Sequence, residues 1–179
     1  MDFQQSRTYS NIDSAYRSES IVHTLYQIYG DRARVDGFEE IGNIFDTIAR
    51  NEKEHARIFY RLLNGGLVPD TQQNLLRSSE LETSKADEYR VFAQTALEEG
   101  YDDIAALFNG IANIELNHDL QFRSLHENVV RDQVFCKPTE TLWICIECGN
   151  IMSGPCAPEV CPVCQFPQGF YRVYQGVSE

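Results

Sequence analysis

Apolar side chains in the first 133 residues recur at intervals of three and four. Ile41, Ile44, Phe45 and Ile48, followed by Phe59, Leu62 and Leu63, make one stripe of an amphipathic helix. The strict alternation of a half-buried strand is absent there. Breaks at Asp36-Gly37, from Asn64-Gly65-Gly66 to Pro69-Asp70, and at Glu99-Gly100 divide the region into four segments, about 10–35, 38–64, 72–99 and 102–133. Four long helices predict a mainly α fold, a four-helix bundle.

A shift of 63 residues lays the chain on itself without a gap. Asp36-Gly37-Phe38-Glu39-Glu40-Ile41 falls on Glu99-Gly100-Tyr101-Asp102-Asp103-Ile104, and Phe45, Ile48, Ala49, Glu52 and His55 fall on Phe108, Ile111, Ala112, Glu115 and His118. The same offset carries Glu19 onto Glu82 and Tyr26 onto Tyr89. The bundle therefore reads as one helix hairpin used twice.

Within each hairpin the polar exceptions to the apolar register are the candidate chemistry. Glu52 and His55 are three residues apart, as are Glu115 and His118, so each pair shares a face about one turn apart. They follow the apolar stripe and are expected to point inward. An isolated ionised carboxylate placed there costs several kcal/mol unless a charge partner or cation accompanies it. A lone Glu-x-x-His is ordinarily a surface ion pair; two in repeat register, each with a glutamate (Glu19, Glu82) at the same offset on the partner helix, point to a metal site. Carboxylate oxygen and imidazole nitrogen suit iron or manganese. His23, one turn beyond Glu19, reads as an outer-sphere or packing residue, since Ala86 holds the related position. Tyr26 and Tyr89 are placed to hydrogen-bond the carboxylates or simply to fill the core.

The remaining chain has a different composition. All six cysteines lie between 136 and 164, and Gly and Pro become frequent from Pro138 onward, which sets a boundary near 134–141. The expected organisation is a helical domain over 1–135, a linker over 136–141 and a cysteine module over 142–179. Cys145-Ile146-Glu147-Cys148 and Cys161-Pro162-Val163-Cys164 are two CxxC knuckles whose spacing gathers four thiolates around one tetrahedral ion. A module this small depends on that ion for stability, with Trp143, Ile144, Phe166, Phe170, Tyr171 and Tyr174 as its apolar shell. Spacing alone does not separate zinc from iron. Cys136 and Cys156 fall outside both knuckles and are expected as free thiols in a reducing compartment.

Charge and hydropathy narrow the partners. Twenty-seven acidic against fifteen basic residues give a net charge of -12, the wrong sign for a surface that collects phosphates, so neither nucleic acid nor an anionic membrane is expected. No apolar run approaches the ~20 residues that span a bilayer, and the polar amino terminus lacks a secretory pattern. A cytoplasmic location is expected.

These residues carry a resemblance. From about Ser6 to Tyr174 the chain resembles rubrerythrin, through Ser18-Glu19-Ser20, Asn51-Glu52-Lys53-Glu54-His55-Ala56, Glu98-Glu99-Gly100-Tyr101 and Glu115-Leu116-Asn117-His118, with a tail similar to that family's rubredoxin domain. The ligand inventory is also that of ferritin-like di-iron proteins. The resemblance implies a ferritin-like bundle with an oxo- or hydroxo-bridged pair of irons held by Glu19, Glu52, His55, Glu82, Glu115 and His118. It further implies an iron at Cys145, Cys148, Cys161 and Cys164 that relays electrons, and reduction of hydrogen peroxide to water. An external reductase or rubredoxin would donate the electrons. One departure stands out: where rubrerythrins usually carry a second glutamate three residues beyond the first on the third helix, this chain has Lys85. That puts a redox-linked iron shift in doubt and brings the site nearer to bacterioferritin and simpler erythrins.

In the peroxidase reading Glu52 and Glu115 bridge the metals, Glu19 and Glu82 are terminal, and each histidine caps one iron. The alternatives are an O2-reducing ferroxidase or oxidase, and a non-enzymatic iron buffer with a structural zinc ribbon. The resemblance implies a homodimer or larger homo-oligomer. The connection from about Asn64 to Gln72 reaches at most about 32 Å when extended, against helices roughly 40 Å long. Exchange of helix pairs between chains is therefore also expected to be open to the molecule.

Overall fold

The computed structural model describes residues 2–176. Four long helices are followed by a small sheet: α1 (Arg7–Val35), α2 (Glu39–Leu63), α3 (Thr71–Glu98), α4 (Asp102–Val130), β1 (Cys136–Cys145), β2 (Ile151–Cys156) and β3 (Tyr171–Val173). The chain divides into two compact units, Met1–Pro69 and Asp70–Glu179. The first is the α1–α2 hairpin. The second holds the α3–α4 hairpin and the cysteine module.

Local chemistry sets the helix ends. Ser6 Oγ accepts from the Tyr9 N–H at 3.1 Å and Asp70 Oδ1 from the Gln73 N–H at 2.8 Å, which places the starts of α1 and α3. The α1–α2 and α3–α4 turns are copies of each other. Gly37 (φ 86°) and Gly100 (φ 82°) take the left-handed conformation that ends each helix, and the next residue, Phe38 or Tyr101, donates back to the Ala33 or Ala96 carbonyl at 2.8 Å. Glu39 and Glu40 open α2 as Asp102 and Asp103 open α4, acidic residues at the positive end of a helix.

The seam inside each hairpin is made of small residues seven apart. In α2 it runs Gly42, Ala49, Ala56, and in α4 Ala105, Ala112, Asp119, all buried. Against them lie Gly30 and His23 on α1, and Ala93 and Ser79 on α3. The large apolar residues expected to face a core flank this seam instead: Ile41 is 46% exposed, Ile44 51% and Leu62 44%. Two helices bury only the strip along which they touch, and close approach selects small side chains for it.

In the second unit, β1 is the centre of a three-stranded antiparallel sheet of order β2-β1-β3. Its core is Trp143, Cys145, Ala157, Cys161 and Tyr171, with Phe135, Phe170 and Val173 packed on it. The Trp143 indole donates to the Gly154 carbonyl at 3.0 Å, so its one polar atom is satisfied. Residues 136–141, expected as a linker, form the first part of β1. Cys136 and Cys156, expected as free thiols, are paired as a disulfide across β1 and β2. Spacing gave no hint of that pairing because it depends on strand register.

Candidate metal centres

Each hairpin assembles one trio. Glu19 on α1 meets Glu52 and His55 on α2; Glu82 on α3 meets Glu115 and His118 on α4, with the candidate ligand atoms of each trio within 4.8 Å of one another. The two trios match closely. His55 Nδ1 stands 2.9 Å from Glu52 Oε2 and 3.8 Å from Glu19 Oε2. His118 Nδ1 stands 2.9 Å from Glu115 Oε2 and 3.7 Å from Glu82 Oε2. The carboxylates are half-buried and the imidazoles exposed.

Two carboxylates and an imidazole stand close together in each trio. Glu19 is pushed above the usual glutamate range by sharing a hydrogen bond with Glu52 and by burial, while Glu52 is held below it by that same bond and by His55. Glu82 is raised through its hydrogen bond with Glu115 and by burial, and Glu115 is lowered by Glu82 and, against the pull of its own burial, by His118. Opposite shifts on two neighbouring carboxylates are what crowded like charges produce. Glu82 Oε2 is moreover buried with no hydrogen-bond partner, an arrangement that leaves a lone pair for a metal. Two hard oxygen ligands and one imidazole per trio fit iron.

The residues around the trios differ. Lys85 Nζ is 3.7 Å from Glu82 Oε1, whereas the related position on α1 is Val22. His23 Nδ1 bonds the Ala49 carbonyl at 2.9 Å, pinning α1 to α2. Tyr26 packs with Tyr29 and Phe45, and Tyr89 with Phe92 and Phe108, ring centroids 5.8–6.4 Å apart. Neither hydroxyl reaches a carboxylate among the described residues. Missed in the sequence was Asp119, buried at the foot of the α4 seam. It accepts from Ser79 Oγ at 2.5 Å and from Arg123 Nε at 2.8 Å. Its signal was its offset, a charged residue falling on Ala56 of the other hairpin.

The four remaining cysteines converge. Cys145 Sγ and Cys164 Sγ are 3.7 Å apart, as are Cys148 Sγ and Cys161 Sγ, near the ~3.8 Å expected of a tetrahedron with metal–sulfur bonds of about 2.3 Å. The knuckles repeat: Gly149 N–H donates to Cys145 O and Gln165 N–H to Cys161 O, both at 2.9 Å, with Gly149 (φ 77°) and Gln165 (φ 63°) left-handed. A hydrogen bond from Tyr171 lowers the Cys161 thiol to about 6. At Cys164 the Phe166 N–H pulls the same way, but burial and the neighbouring thiols outweigh it and push the thiol up to about 12. Four crowded thiols ionise together only around a cation.

Two carboxylate–imidazole trios on repeated helix hairpins, joined to a tetrathiolate module, define a non-haem iron protein of ferritin-like type with a rubredoxin-like domain. The rubrerythrin family model matches residues 10–70 and the model for the rubrerythrin rubredoxin-like domain matches 143–172. The chain is similar to rubrerythrin of Nitratidesulfovibrio vulgaris (36% identical) and to rubrerythrin-1 of Clostridium acetobutylicum (34%), each alignment covering 94% of both proteins. It is 33% identical to a putative rubrerythrin of Methanocaldococcus jannaschii, over 93% of this chain and 92% of that one. A solved mixed-valence nigerythrin aligns with 94% of this chain and 87% of its own at 24% identity and a TM-score of 0.35. The chain belongs to the rubrerythrin family. Its cofactors are a di-iron carboxylate centre, with the two trios as candidate ligands, and a rubredoxin-like metal site at the four cysteines. No described helix is long and apolar enough to cross a membrane.

Proposed function

We propose that this protein is a peroxidase that reduces hydrogen peroxide to water and draws its electrons through the tetrathiolate iron. The observation that carries the reading is the duplicated trio on the same chain as the tetrathiolate site: a two-electron centre beside a one-electron relay. When bound, the iron pair supplies two electrons and the Lewis acidity that breaks the O–O bond of peroxide. Glu52 and Glu115 would be the carboxylates shared between the two metals, Glu19 and Glu82 would each hold one metal, and His55 and His118 would each supply a nitrogen ligand. Metal held there would compete with protons for Glu19 and Glu82, whose pKa values are raised. Cys145, Cys148, Cys161 and Cys164 would hold an iron that could pass on, one at a time, electrons from an external reductase or rubredoxin.

A centre of two irons needs two trios, and the exposed Ile41, Ile44 and Ile104 along the hairpins need a covering layer. In this reading the protein is a homodimer or larger homo-oligomer, its trios brought together by exchange of helix pairs. Full iron loading in a monomer by sedimentation would exclude the exchange. The division into a helical catalytic part, residues 1–135, and a relay, residues 142–179, belongs to the same proposal.

One observation favours a second reading, an O2-consuming oxidase or ferroxidase: a cation, Lys85, lies against Glu82. Stopped-flow reoxidation of the anaerobically reduced protein separates the two. The peroxidase reading expects hydrogen peroxide to outpace O2 by at least about tenfold in rate, a difference of ~1.4 kcal/mol in barrier. Equal or faster oxidation by O2 overturns it. Cys161→Ser is expected to abolish turnover driven by a reductase while leaving single-turnover oxidation by peroxide intact.

A further inference from the structure

The two cysteines outside the tetrathiolate site form a sulfur site of their own. Cys136 and Cys156 lie opposite each other in the β1–β2 ladder and are joined as a disulfide. Backbone pairing at that end of the ribbon is sparse, although Ser153 Oγ donates to Glu140 Oε1 at 2.6 Å across the two strands. Between the Cys136–Cys156 pair and the Thr141–Gly154 pair the register shifts, so that Lys137, Pro138, Thr139 and Glu140 stand against the single residue Pro155. Neither proline has an N–H to give the ladder. Beyond the disulfide one backbone bond continues, from the Ala157 N–H to the Phe135 carbonyl at 2.8 Å. It ties the residue before one cysteine to the residue after the other, and both Phe135 and Ala157 pack in the core around Cys145 and Cys161.

The sulfur site is open to small molecules. Cys156 is exposed, and Cys136 is half-buried at the wall of a cleft of about 330 Å³. On the same chain Cys145, Cys148, Cys161 and Cys164 are free thiols, and a thiolate metal site fills where thiols are kept reduced. A solvent-facing disulfide in those surroundings meets the same reductants and exchanges with them.

We propose that Cys136 and Cys156 are a reversible thiol–disulfide site that reacts with hydrogen peroxide and latches the β1–β2 ribbon against the metal-binding core. On closing, the two thiols give up two electrons and two protons, the S–S bond forms, the O–O bond of peroxide breaks and two waters leave. On opening, two molecules of a small thiol reduce the pair by successive exchange and depart as their own disulfide. Without the disulfide this end keeps one backbone bond, Ala157 to Phe135, and side-chain bonds such as Ser153 to Glu140, so residues 137–156 exchange their amide protons faster. The site is independent of the helical trios and of the activity proposed for them.

The test uses the iron-loaded full chain. Excess reduced glutathione under argon, then alkylation and peptide mass spectrometry, is expected to label Cys136 and Cys156 while the visible absorption of the tetrathiolate iron persists. After removal of glutathione, a small excess of hydrogen peroxide is expected to restore the linked, unlabelled peptide pair. A pair that stays closed in glutathione is a structural staple, and one that stays open after peroxide is no peroxide site; either result overturns the proposal. Amide exchange over 137–156 is expected to be about tenfold slower in the closed form, as for a local opening made costlier, and equal exchange overturns the latch. Cys136→Ser is expected to keep both iron sites yet leave Cys156 labelled after peroxide. Because the readouts are peptide mass and exchange, they stand whichever oxidant the helical iron prefers.

Discussion

The two helix hairpins are the same device built with different interiors. Their trios superpose residue for residue at an offset of 63, as do their turns at Gly37 and Gly100 and their aromatic groups, Tyr26–Tyr29–Phe45 and Tyr89–Phe92–Phe108. Along the seam they diverge. At one end α1 meets α2 through glycines: a Cβ on Gly42 would lie 3.1 Å from the Gly30 carbonyl and 3.0 Å from Arg34, whose guanidinium binds Asp46, Glu39 and Asn43 across the hairpin. The second hairpin has Ala93 and Ala105 there. At the other end Tyr16 packs on Tyr60 beside Ala56, with ring centroids 5.5 Å apart, where the second hairpin has Ser79 and Arg123 around buried Asp119. Packing was free to change. The two carboxylates and the imidazole are the same in both hairpins, as the proposed metal-holding role requires.

That contrast can be broken most severely at the ligands. Glu52→Ala and Glu115→Ala are each expected to cost the bundle its paired iron and to lower peroxide turnover by more than about 100-fold, since even outer-sphere changes cost 10–100-fold. Metal analysis and single-turnover kinetics check it. If only one of the two substitutions mattered, the symmetry would be superficial. A lesser effect comes from pH. Because Glu19 and Glu82 are raised above the ordinary glutamate range, protons compete with metal as pH falls through that raised range, and ferrous affinity measured by competition with a chelator is expected to weaken there.

Stability separates the hairpins further. Gly42→Ala gains helix propensity but sets its methyl against the Gly30 carbonyl, a backbone atom; the expected balance is a loss of about 1–2 kcal/mol in denaturant unfolding. Ala105→Gly, the reverse change in the second hairpin, is expected to cost about 1 kcal/mol through backbone freedom and lost packing. The smallest effect is electrostatic. Asp119 is held below the usual carboxylate range by Arg123 and Ser79, so its contribution is present above the ordinary aspartate range and lost as pH falls through its lowered value. Asp119→Asn is expected to lower the thermal midpoint at neutral pH and to flatten its decline in acid. An unchanged acid profile would contradict that assignment.

Much of this was legible because it is local or repeated. The Gly-containing turns fix helix ends through φ, and the 63-residue offset doubled every weak motif, making Glu52-x-x-His55 and Glu115-x-x-His118 stand out from ordinary surface pairs. The CxxC knuckles are equally local. Less legible were features decided by tertiary distance. Ile41 and Ile44 set the apolar periodicity, yet the seam belongs to Gly42, Ala49 and Ala56, whose value lies in how closely another backbone approaches. Asp119 occupies the matching seam of α4, behind Ala105 and Ala112, where the apolar periodicity of large residues does not reach. Residues 136–141 read as a linker because Lys137-Pro138-Thr139-Glu140 lacks strand alternation; it joins β1 through a bulge and a disulfide that only register reveals.

The claim on which the rest depends is that the two trios meet around a coupled pair of irons. Mössbauer spectroscopy of the oxidised, iron-reconstituted protein tests it directly. The expected result is, beside the tetrathiolate signal, a spin-coupled diferric doublet that is diamagnetic at low temperature and disappears in Glu115→Ala. Two magnetically isolated ferric sites of the helical type would contradict it.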